Sequence, residues 1–120
     1  MSAQNPPVAV SDHKDIRVVE FTNNKILDEA NIKEIGDSIL ALVDERDGPK
    51  ILIDFATVDH LSSAALGMLI NINSRVKAKN GYLRLANIKP SIRDVFVITK
   101  LDKLFKILPT REEALTSFHP

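Results

Sequence analysis

An α/β sandwich is the fold class that this sequence predicts: a mixed sheet of four to five strands, mostly parallel in its centre, with about four helices. Three observations lead there. Short β-branched or apolar runs alternate with stretches whose apolar residues recur every three or four positions, the signature of strands alternating with amphipathic helices. The connections are a few residues long, so successive strands need crossover helices between them. One run, KILIDF at 50–55, is almost continuously apolar, as in a central strand covered on both faces.

Residues 1–15, MSAQNPPVAVSDHKD, hold two prolines and no periodicity, and are expected to be a flexible tail, with a single domain over 16–120. IRVVEF at 16–21 is rich in β-branched residues and reads as the first strand, paired as a hairpin with residues 25–27 across the turn-like TNN. From 30 to 47, Ile32, Ile35, Ile39, Leu42 and Val43 mark one helical stripe, which Asp47-Gly48-Pro49 ends. A second helix is expected over 63–80, with Leu66, Leu69, Ile70 and Val76 facing the core and Gly81 in a left-handed conformation after its last turn. YLRLAN at 82–87 alternates as a strand. Pro90 opens a third helix through about Lys100, with Ile92, Val95, Phe96 and Thr99 on one face. LFKIL at 104–108 is a last short strand, and TREEALTSF opens the final helix with a threonine cap.

Composition narrows the function classes. A chain of 120 residues buries roughly two-thirds of its unfolded surface, enough for a self-sufficient core. Sixteen basic residues balance sixteen acidic ones, so no global field favours nucleic acid or an anionic membrane, and no apolar run approaches the ~20 residues of a membrane span. The chain has no cysteine, which excludes disulfides and thiolate chemistry, and its first residues carry no signal-peptide pattern; a cytoplasmic location is expected. His13, His60 and His119 are scattered, so no metal site is expected, and neither a Walker loop nor GxGxxG supplies a phosphate cradle, so no cofactor is expected.

Residues 57–67, TVDHLSSAALG, place two serines where an apolar strand hands over to a helix. Asp59, His60 and the serines contain the letters of a catalytic triad. Contiguous residues seldom align as nucleophile, base and orienter, and no GxSxG elbow surrounds them, so an enzyme is not expected. A helix N-terminus presents unpaired N–H groups and the positive end of the dipole. Ser62 is placed to cap the helix, and Ser63 to carry a hydroxyl, or a phosphate, at the same electropositive spot. Serines cap helices in many proteins, so capping alone also accounts for the pair. Helical projection puts Met68 opposite the core stripe, beside Ala64, Asn71 and Arg75, as an exposed and adaptable docking surface.

The run ILIDFATVDHLSSAALGML resembles the signature of STAS domains, in which an apolar strand ending in Asp leads through a Val-x-Phe-Ile loop to Asp-Ser-Ser-Gly-Leu-Gly at a helix start. The resemblance continues through YLRLANIKPSIRDVFVITKLDKLFKI, close to the family's Leu-x-Leu-Thr-Gly-Leu-Asp-x-Leu-Phe helix, and into EEAL, covering about residues 16–118. It implies a STAS-like sandwich and a partner-switching regulator similar to single-domain anti-sigma factor antagonists. Such a protein binds an anti-sigma factor that is a protein serine kinase, is released when that kinase phosphorylates the motif serine, and is reset by a cognate phosphatase. No nucleic acid or membrane is contacted directly. The alternative implied is a non-switching scaffold subunit of a stressosome-like or transport complex. Residue by residue, the phosphoacceptor falls on Ser63, the preceding Asp on Ser62, the second Ser on Ala64 and the Gly on Ala65, while Leu66 and Gly67 match and His60 replaces an aromatic or aliphatic residue. The implied partner-binding set is His60, Ser62, Ser63, Ala64, Ala65, Gly67, Met68, Asn71 and Arg75.

Overall fold

The structure, a computed structural model, describes residues 7–118. Its elements follow in chain order: β1 (Val8–His13), β2 (Ile16–Phe21), β3 (Lys25–Ile26), α1 (Glu29–Asp44), β4 (Lys50–Asp54), β5 (His60–Leu61), α2 (Ser63–Ala78), β6 (Tyr82–Ala86), α3 (Pro90–Ile98), a 3₁₀ turn (Leu101–Lys103), β7 (Lys106–Leu108) and α4 (Arg111–Ser117). The main sheet has five strands in the order β1-β2-β4-β6-β7, antiparallel at the β1 edge and parallel elsewhere. The expected mixed sheet with four helices is therefore present.

Helices α1, α2 and α3 cover one face of the sheet and α4 the other. Strand alternation sends Val19, Phe21, Ile51, Ile53, Leu83 and Leu85 to the larger core, and Ile16, Val18, Leu52 and Ala86 to the smaller one beneath Ala114 and Phe118. This two-sided burial explains why KILID reads as a continuous apolar run. Each Ile or Leu so buried contributes about 1.5–3 kcal/mol. Four rings form an edge-to-face chain through the larger core, Phe21 to Phe55 to Phe96 to Phe105, with centroids 5.2, 6.3 and 5.9 Å apart.

Several expectations are corrected. Residues 8–13 are a strand, not a tail, with full six-residue pairing from Val8↔Phe21 to His13↔Ile16; residues 1–6 of that expectation lie outside the described residues. Five of its six side chains are exposed, so backbone pairing rather than an apolar face holds β1 in place. Because β1 occupies that edge of β2, residues 25–26 form no hairpin with it. They pair in parallel with β5 in a separate two-stranded ladder, burying Ile26.

The left-handed residue after α2 is Asn80 (φ 59°), not Gly81. Asn80 N–H bonds Lys77 O (3.0 Å) and Gly81 N–H bonds Val76 O (2.9 Å), the paired closure of a Schellman motif. Gly81 is needed for a different reason: a Cβ there would lie 2.4 Å from the Pro49 carbonyl oxygen. Finally, Ile70 is exposed rather than in the core. The buried stripe of α2 runs through Ala65, Leu66, Leu69, Ile72, Asn73 and Val76, and is thus rotated toward Ile72.

Candidate functional site

The junction that carries the serines is built from the end of β4. Asp54 is almost fully buried, and its carboxylate is saturated: it accepts from Ala56 N–H (2.9 Å), Asn87 Nδ2 (3.1 and 3.2 Å) and Arg111 Nε (2.8 Å). Arg111 also pairs with Glu20, and this bond, ahead of its contact with Asp54, raises the guanidinium pKa above its ordinary value despite partial burial. A buried carboxylate is tolerated only when bonded in this way. The bonds fix where the chain leaves the sheet.

The following loop is held on its outer side. Thr57 Oγ1 donates to Phe21 O (3.1 Å), and the Asp59 carboxylate receives Lys89 Nζ and Asn24 Nδ2 (3.0 Å). The Lys89 bond foremost, and the Asn24 amide after it, hold the Asp59 carboxyl below the usual carboxylate range. Asn24 O accepts the Asp59 and His60 N–H groups, and Ile26 O accepts Ser62 N–H (3.0 Å), so the short β3–β5 ladder delivers the serines to the start of α2. Among the described residues no hydrogen bond links His60 to Asp59 or to either serine. The bonds of a triad are not formed.

Ser62 is the cap. Its backbone is extended (φ −85°, ψ 166°), and its hydroxyl accepts Ala65 N–H at 3.2 Å. Ser63 is the first helical residue and is exposed. Of the other residues singled out from the sequence, His60, Ala64, Gly67, Asn71 and Arg75 are exposed, and Arg75 is bound to Asp44 of α1 at 2.7 Å. Two corrections apply. Ala65 is fully buried on the core stripe and offers no side chain to a partner. Met68 is half-buried rather than exposed, because α1 passes close to it: a Cβ on Gly36 would come 3.1 Å from Met68 Cγ.

That close approach creates a feature the serine motif does not announce. Between α1 and α2 lies a groove of about 330 Å³, lined by Ile32, Gly36 and Leu40 on one side and Ala64, Gly67, Met68 and Asn71 on the other. The Lys33–Asp37 ion pair (2.9 Å) rims it. Ala64 and Gly67 stand one and four residues after Ser63, so the exposed serine lies within about one helical turn of the groove-lining residues of α2. Its α1 half went unnoticed in the sequence, although Gly36 inside an otherwise regular helical pattern is the signal that reveals it.

Comparison with known proteins now decides the family. The STAS domain profile matches residues 8–114, most of the chain. This chain belongs to the STAS domain family. Its sequence is similar to BtrV of Bordetella bronchiseptica, named as a candidate anti-sigma factor antagonist, at 27% identity over 93 residues, covering 78% of this chain and 79% of that protein. Its fold is similar to an anti-sigma-factor antagonist (STAS) domain protein from Planctomyces limnophilus (TM-score 0.86, 23% identity, 94% of this chain and 98% of that one). It is also similar to the phosphorylated form of the Bacillus cell fate determinant SpoIIAA (TM-score 0.69, 20% identity, 93% and 99%). Both solved structures share the STAS fold of this chain over more than nine-tenths of its length.

Proposed function

We propose that this STAS protein is a partner-switching regulator. Its unphosphorylated form docks an anti-sigma serine kinase through the α1–α2 groove and the adjoining α2 face, and phosphorylation of Ser63 breaks the complex. The observation that carries this reading is the division of labour at the helix start: Ser62 spends its hydroxyl on the cap, while Ser63 is exposed one residue before Ala64, the first groove-lining residue of α2. A phosphate on Ser63 adds about −1.5 to −2 charges at the positive end of α2, where free N–H groups stabilise it without refolding. The same charge faces the partner. About 2.7 kcal/mol of repulsion weakens binding a hundredfold.

The likeness to BtrV, and to a STAS protein captured in a phosphorylated form, supports this reading. The docking set is His60, Ser63, Ala64, Gly67, Met68, Asn71 and Arg75, with Ser62 as the cap and Ala65 withdrawn into the core; a cognate phosphatase resets the switch. A pull-down from native extract tests it: wild type and Ser63→Ala retain the same serine kinase, and Ser63→Glu loses it. Equal retention by all three contradicts the switch and favours a constitutive scaffold.

A further inference from the structure

The two edges of the main sheet are built differently. At one edge, β7 has three residues, begins with Lys106 and is followed by Pro109, and brevity, charge and proline all discourage further strand pairing. At the other edge, β1 has six residues, VAVSDH, with neither lysine nor proline among them. We propose that β1 is an interaction surface for a second copy of this chain, whose own β1 adds to it antiparallel across a two-fold axis, joining two five-stranded sheets into one.

The hydrogen-bond phase of the β1–β2 hairpin shows what this edge offers. Pro7 and Thr22 come next in register after Val8 and Phe21, and Thr22 N–H bonds Pro7 O (3.3 Å). Hydrogen-bonded pairs alternate with non-bonded pairs along an antiparallel ladder. Ala9, Ser11 and His13 therefore bond inward to Glu20, Val18 and Ile16, while the N–H and C=O groups of Val8, Val10 and Asp12 point away from β2. Among the described residues no strand lies on that side to receive them.

The side chains leave room for a partner. Beyond Val8 every residue of β1 is exposed, on both faces of the sheet, so no helix overhangs the edge. Val10 opposes Val19, which is fully buried, yet Val10 itself is 43% exposed. Its bare flank is the one turned away from β2. Charge also permits a like strand: the one carboxylate of β1, Asp12, is ion-paired with Arg17 at 2.7 Å.

The outward groups choose the register. Pairing centred on Val10 sets Val10 against the partner's Val10 and Val8 against the partner's Asp12, which engages every outward group of both strands and packs the two bare valine flanks together. Centring on Asp12 opposes two carboxylates, and centring on Ala9 or Ser11 leaves one outward residue of each β1 unmatched. An interface of one strand pair is small, so association is weak and depends on concentration.

The test is sedimentation velocity of the full chain over a concentration series up to about 1 mM, paired with amide hydrogen exchange. A reversible monomer–dimer equilibrium is expected. The Val8, Val10 and Asp12 amides gain protection as concentration rises, whereas those of Ala9, Ser11 and His13 are protected throughout. Val10→Lys and Val10→Asp, at an exposed edge position that leaves the fold intact, each weaken self-association at least about tenfold, because the two-fold axis sets like charges opposite each other. Mixed in equal amounts the two variants associate again, since the opposed charges now differ in sign. A chain that stays monomeric throughout the series, a dimer that both Val10 variants form unchanged, a mixture that fails to associate, or protection of Val8, Val10 and Asp12 that ignores concentration overturns the proposal.

Discussion

The Ser62 hydroxyl accepts the Ala65 backbone N–H at 3.2 Å, and this one bond makes two adjacent serines inequivalent. Ser62 is committed to starting the helix. Ser63, one residue on, carries no structural duty for its hydroxyl among the described residues and faces outward.

Stability should separate the two. Ser62→Ala is expected to cost about 1 kcal/mol, a fall in Tm of roughly 3–5 °C for a domain of this size, while Ser62→Asp retains the cap. Ser63→Ala should stay within about 0.5 kcal/mol of wild type. Urea denaturation of the three variants measures this, and equal losses at both serines contradict the assignment.

Gly67 is exposed in mid-helix and an added Cβ meets nothing within 4 Å. Gly67→Ala should therefore raise stability by about 0.5–1 kcal/mol. Gly67→Trp, which keeps the fold but fills the groove mouth, should weaken kinase docking at least tenfold, about 1.4 kcal/mol. Calorimetry on the purified pair reads both effects. A Gly67→Trp protein that binds normally places the docking face elsewhere.

Acid should loosen the loop before the serines. The Asp59 carboxyl titrates below its ordinary 3.8, with Lys89 as the first cause and Asn24 as the second. Its folded pKa is depressed, so its stabilising contribution is present above the unfolded pKa and is lost as pH falls through the folded value. Carboxyl-carbon NMR should show the Asp59 midpoint below 3.8 in wild type and closer to it in Lys89→Gln. A wild-type midpoint at or above 3.8 contradicts the contact.

Lys100 sits at φ 63°, a left-handed position that costs a non-glycine residue energy. It stands where the STAS motif has glycine. Lys100→Gly should stabilise the protein by about 0.5–1 kcal/mol, the relief of strain exceeding the added chain entropy. Thermal unfolding that shows a loss instead means that the Lys100 side chain makes a compensating contact.

The alternation of strands and helices was legible because each central strand is covered on both faces and each helix buries a single stripe. β1 was hidden because a strand with one buried side chain in six has no apolar pattern to read. Ile70 was misplaced for a related reason: Leu66, Leu69 and Val76 leave the stripe's centre open to either side, and only packing against the sheet chose Ile72. The serine pair was legible from the motif and from capping chemistry. The groove beside it was not, since it joins Gly36 to Met68 across more than thirty positions, and no local pattern records that approach. The same holds for Asn24, Lys89 and Arg111, whose bonds shape the junction from distant parts of the chain.

The central claim is that phosphate on Ser63 ends a complex that the unmodified protein forms. The most direct measurement is to phosphorylate the chain with the serine kinase recovered in the pull-down and ATP, map the modified residue by mass spectrometry, and titrate both forms against that kinase. The account predicts a single phosphate on Ser63, none on Ser63→Ala, and an affinity about a hundredfold weaker for the phosphorylated chain, close to 2.7 kcal/mol. Phosphate on another residue, or equal affinity of the two forms, contradicts it.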